Sequence, residues 1–125
     1  MSLASRLACR LDVMGVFGQF RGMDTAWAAA NRPDMRMVEA PQGTVRLRHA
    51  EGAPSARPPL VLLVDPPNHP EHYDALMGDL LADGWPSVTV VETLGFGFSR
   101  PSRRFDFAMA PYVASLLFIL DQLGL

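Results

Sequence analysis

Asp65, Asn68, His69, Glu71 and His72 lie in one short stretch between an apolar run, Leu60 to Val64, and a segment with helical spacing from Leu76 to Leu81. Carboxylates, an amide and two imidazoles set so close can line a pocket, hold a metal ion or cap a helix. The pocket reading follows from position, because ligands of open α/β sheets bind at the carboxyl ends of the strands. The metal reading needs His69, His72 and a carboxylate on one helical face. Pro70 separates the two histidines and the ligand count is short, so no metal is expected. In the third reading Asn68 or His69 caps a helix that opens at Pro70.

Other chemistries are excluded by composition. The chain has 125 residues, and its eleven basic residues are all arginine. Without lysine there is no Schiff base and no phosphate loop of the Walker type, and no cofactor is expected. A net charge of -2 gives no basic surface for nucleic acid. The single cysteine, Cys9, excludes an internal disulfide and fits a reducing compartment, where it reads as a small buried hydrophobe. Arg6, Arg10 and Asp12 interrupt the apolar N-terminus, which argues against a signal peptide. No window resembles a membrane span. The expectation is a cytoplasmic protein that contacts neither membrane nor nucleic acid.

The elements that position these residues follow from hydrophobic period. Leu3, Leu7, Leu11, Met14, Phe17 and Phe20 recur at helical spacing, which predicts one amphipathic helix, or two, over residues 2–30. After Pro33 the period becomes two. Met35 and Met37, a turn at Pro41-Gln42-Gly43, then Val45, Leu47 and His49 predict a β-hairpin. Leu60 to Val64 is apolar on both faces, as a central strand is. A helix is expected over residues 71–82, a second buried strand from Val88, an irregular loop from Glu92 to Phe107, and a helix over residues 111–123. The order predicts an α/β fold with βαβ crossovers and an antiparallel start. The last helix is so apolar that four short strands cannot cover it, which predicts an incomplete fold.

Three motifs carry a resemblance to a known family. Leu60 to Tyr73, LVLLVDPPNHPEHY, is similar to the strand and loop of α/β-hydrolases, in which four apolar residues precede HGxPG and an aromatic follows. Val90 to Ser99, VVETLGFGFS, resembles the family's strand and D-x-P-G-x-G-x-S loop. Phe107 to Leu125 resembles the helix before the nucleophile strand. The resemblance spans residues 35–125 and implies a partial α/β-hydrolase sheet, a hairpin plus parallel strands with flanking helices. Residues 1–34 would then be an N-terminal helical extension. The implied substrate of a complete form is a small apolar ester, epoxide or related molecule.

Activity does not follow from the resemblance. The family's nucleophile sits at a G-x-S-x-G elbow on the strand that would follow Leu125, and its acid and histidine come later still. No catalytic residue is therefore expected in this chain. Gly97-Phe98-Ser99-Arg100-Pro101 imitates the elbow until proline replaces its last glycine, and Ser99 reads instead as a loop residue bonded to nearby backbone. In the oxyanion loop, formed by Asp65, Pro66 and Asn68, the donor position falls on Pro66, which has no N–H. The N–H or side-chain amide of Asn68 would have to replace a donor worth about 3 kcal/mol. Phe96 and Phe98 are the candidate walls of a substrate pocket, whereas Tyr73 and Phe107 read as core. Arg100, Arg103 and Arg104 read as a solvated face.

Two functions remain open. One is the N-terminal half of a hydrolase that binds a small-molecule substrate in its complete form. The other is a non-catalytic binding or assembly module that completes its sheet with a partner chain or as a homo-oligomer.

Overall fold

The computed structural model describes residues 34–125 apart from Pro67. The predicted N-terminal helix and Cys9 lie outside the described residues. Alternating apolar residues build strand β1 (Met35–Ala40), and a turn at Pro41-Gln42 leads into β2 (Gly43–Glu51). The two pair antiparallel from Met35 opposite Arg48 to Ala40 opposite Gly43. β3 (Leu60–Leu63), a 3-10 turn (Pro70–Tyr73), helix α1 (Asp74–Ala82) and β4 (Ser87–Glu92) follow. β3 and β4 are parallel, as the helical connection between them permits.

The strand order is β1-β2-β4-β3, a mixed sheet with helices, as expected of a partial α/β fold. One expectation is corrected. Leu60 to Leu63 is not central among the described residues, because β4 pairs antiparallel with β2 and takes the position between β2 and β3. Every residue of β4 is buried, while Leu63 at the end of β3 is 51% exposed. Both runs are apolar on two faces, so periodicity alone does not rank them.

The expected loop from Glu92 to Phe107 is also more ordered than its composition indicates. Glu92 is the last residue of β4, and Arg100–Pro101 forms a short strand, β5, against Thr44 and Gly43. β2 is longer than β4, whose pairing reaches only from Arg46 to Glu51, so the first residues of β2 are left for β5.

Successive residues of a strand face opposite sides, and the two cores divide accordingly. Val45, Leu47 and Val91 pack with Ile119, Leu116 and Tyr112 of helix α2 (Met109–Gln122). Val88 and Val90 pack on the other face with Met77, Leu80 and Leu81 of α1. Pro111 falls in the first turn of α2, where a missing N–H breaks no helical bond. Tyr73 and Phe107 both pack against these cores. No helix among the described residues is long and apolar enough to cross a membrane.

Candidate functional site

The chemistry of the described residues concentrates where β4 ends. Glu92 stands directly opposite Arg46 in the β2–β4 register, and both are fully buried. Buried charges persist only when paired and hydrogen-bonded, and each carboxylate oxygen here has two donors. Oε1 lies 3.4 Å from Arg46 Nη1 and 3.2 Å from His69 Nδ1. A carboxylate only accepts, so the His69 ring donates from Nδ1. Oε2 receives the Phe98 N–H at 2.7 Å and the Ser99 N–H at 3.2 Å.

Around this centre the loops close. Arg46 also reaches Glu71 through Nη2, and its guanidinium lies over the Phe98 ring at 4.9 Å. The Ser99 hydroxyl donates to the Glu92 carbonyl at 2.6 Å and accepts the Arg46 N–H at 2.8 Å. Gly97 has φ +51°, and a Cβ there would overlap the Glu92 carboxylate. Only glycine brings this backbone so close to an acid.

The loop from Asp65 to Tyr73 forms the rim above. The Asn68 N–H is donated to the Asp65 carbonyl at 2.9 Å, which closes a turn over Pro66. That bond engages one of the two replacements for the missing donor and leaves the side-chain amide. Asp65, Pro66 and Asn68 are all exposed. His69 is the N-cap of the 3-10 turn, and its N–H is donated to His72 Nδ1 at 3.1 Å. The helix-start reading of His69 therefore describes this loop. His69 faces Glu92 while His72 is exposed, and their ring centroids lie 5.6 Å apart. No group of three or more His, Cys, Asp or Glu among the described residues is arranged to hold a metal ion.

Ser99 is 2% exposed and bonded through its hydroxyl to main chain on both sides, the role read for it as a loop residue. Phe98 is 4% exposed and faces Arg46 and His69, with 6.2 Å between the Phe98 and His69 rings. Phe96 is half-buried. An apolar cleft of about 100 Å³ opens elsewhere, between α2 and the sheet, lined by Leu63, Val91, Leu94, Met109, Val113 and Leu116 among others. Phe96 and Phe98 are not in its lining.

Arg46 and Glu92, which organise the whole arrangement, were not singled out by their residue types or spacing. The available signals were an acid closing a β-branched strand and an arginine inside the hairpin. Their meeting depends on the β2–β4 register. Glu92 falls at the first position of the loop that resembles D-x-P-G-x-G-x-S. The sequence matches no protein-family model and no curated protein.

Proposed function

We propose that residues 35–125 are the N-terminal part of an α/β-hydrolase-like domain, whose complete form binds and cleaves a small apolar ester, epoxide or related molecule. The observation that carries this reading is the Glu92 arrangement. An acid at the end of a buried strand receives two N–H groups of a glycine-containing loop, and the same acid meets the loop that follows the parallel strand beside it. The glycines, the serine and the polar rim of the resemblance thereby each have a structural task. The sheet of a hairpin plus two parallel strands, with helices on both faces, supports the same reading.

In this proposal the chain supplies the pocket rim and the apolar cleft, and no nucleophile. Ser99 is engaged, and Pro66 offers no N–H. The remaining chemistry would reside on a strand placed along the outer edge of β3.

That edge favours the second reading as well. Among the described residues β3 pairs on one side only, and Leu63, Met109 and Val113, which line the apolar cleft together, are exposed. A partner chain could complete the sheet there.

The test is to read the coding sequence past the codon for Leu125 and to measure the intact mass of the native protein. A downstream strand followed by G-x-S-x-G or a variant supports the hydrolase reading. A stop codon with a matching mass overturns it in favour of a completing chain.

A further inference from the structure

We infer that Glu92 is a positioning residue that makes the rim loop, residues 65–73, and the glycine loop, residues 93–99, move as one body. The two loops follow different strands, and Glu92 bonds to both. Oε2 holds the glycine loop through the Phe98 and Ser99 N–H groups. Oε1 meets His69 of the rim and Arg46, and Arg46 reaches the rim again through Glu71. A carboxylate is planar and rigid, so displacement of one oxygen displaces the other. The position of Asp65, Pro66 and Asn68 is thus set in part from the far side of the carboxylate. This coupling stands independently of any hydrolase chemistry.

The glycines of the second loop separate this coupling from ordinary loop strain. Gly97 and Gly95 both have positive φ, +51° and +88°. A Cβ at Gly97 meets the Glu92 carboxylate, whereas a Cβ at Gly95 meets the Phe107 ring instead. Either substitution strains the glycine loop. Only Gly97→Ala pushes on Glu92.

The experiment is performed on the full 125-residue chain by NMR. The His69 imidazole nitrogen and proton shifts are recorded, together with exchange of the Asn68 and His72 amides, which close turns within the rim. Gly97→Ala is expected to move the His69 imidazole signals and to speed exchange of both rim amides at least tenfold. Gly95→Ala, which strains the same loop without pressing on the carboxylate, is expected to change them markedly less than Gly97→Ala does. Equal effects from the two variants, or none from Gly97→Ala, would overturn the inference.

Should Gly97→Ala not fold, the wild type decides. Under native conditions the Phe98 and Ser99 amides and the Asn68 and His72 amides should open with protection factors within fivefold of one another and with the same dependence on denaturant. A wider separation overturns the coupling.

Discussion

Ser99 and Glu92 grip each other twice. The Ser99 hydroxyl donates to the Glu92 carbonyl at 2.6 Å, and the Ser99 N–H is donated to the Glu92 carboxylate at 3.2 Å. A serine so held is a structural residue. Ser99→Ala is expected to destabilise the fold by about 2–4 kcal/mol, because it removes the buried hydroxyl that bridges the Arg46 N–H and the Glu92 carbonyl. Urea denaturation would measure this. A fluorophosphonate reagent should leave Ser99 unlabelled, and labelling at that position would refute the assignment.

Removing the acid itself is predicted to cost more. Glu92→Ala leaves the Arg46 guanidinium buried with one carboxylate fewer and removes the acceptor of the Phe98 N–H at 2.7 Å, while the Ser99 N–H keeps its bond to the Phe96 carbonyl at 3.1 Å. The expected loss is about 3–5 kcal/mol, read as a lowered denaturation midpoint with an unchanged slope. A loss under 1 kcal/mol would show that the cluster contributes little to the fold.

These two residues also mark how far the sequence could be read. The hairpin and both helices were legible because their apolar periods differ, two against three or four, and the parallel strands because their runs are short and apolar on both faces. The strand order was not. Leu60 to Leu63 is wholly apolar while Val88 to Val91 carries Thr89, so hydropathy favours the wrong inner strand, and only the pairing of β4 with β2 places Leu60 to Leu63 at the edge. The Arg46–Glu92 contact inherits the same difficulty, since it depends on two distant stretches meeting in one register. His69 and His72 were visible as polar residues, but which of them turns inward is decided by the 3-10 turn between them.

Pro66 carries a catalytic prediction. In a complete protein with an intact triad, Pro66→Gly should restore a backbone N–H at the rim and raise kcat for a p-nitrophenyl ester, by up to about a hundredfold if the new donor reaches the oxyanion. An unchanged kcat with an unchanged fold would sink the oxyanion-loop reading of Asp65 to Asn68.

Leu63 tests the open edge. Its exposure of 51% at the end of β3 makes that strand a template for another chain. Leu63→Lys should leave stability within about 0.5 kcal/mol of wild type. It should also lower any self-association seen by sedimentation velocity. Association that persists unaltered would place the contact elsewhere on the molecule.

The insertion of β4 between β2 and β3 has a consequence for how the chain emerges from the ribosome. The hairpin of β1 and β2 can close as soon as it is made, since its partners are neighbours in sequence. β3 comes next, yet its partner β4 lies beyond α1, so Leu60 to Leu63 leaves the exit tunnel with both edges open and no strand to receive it. Topologies that postpone pairing in this way fold slowly and expose sticky segments meanwhile. That apolar tetrapeptide is where a ribosome-associated chaperone is expected to bind, until β4 follows and shelters one side of it.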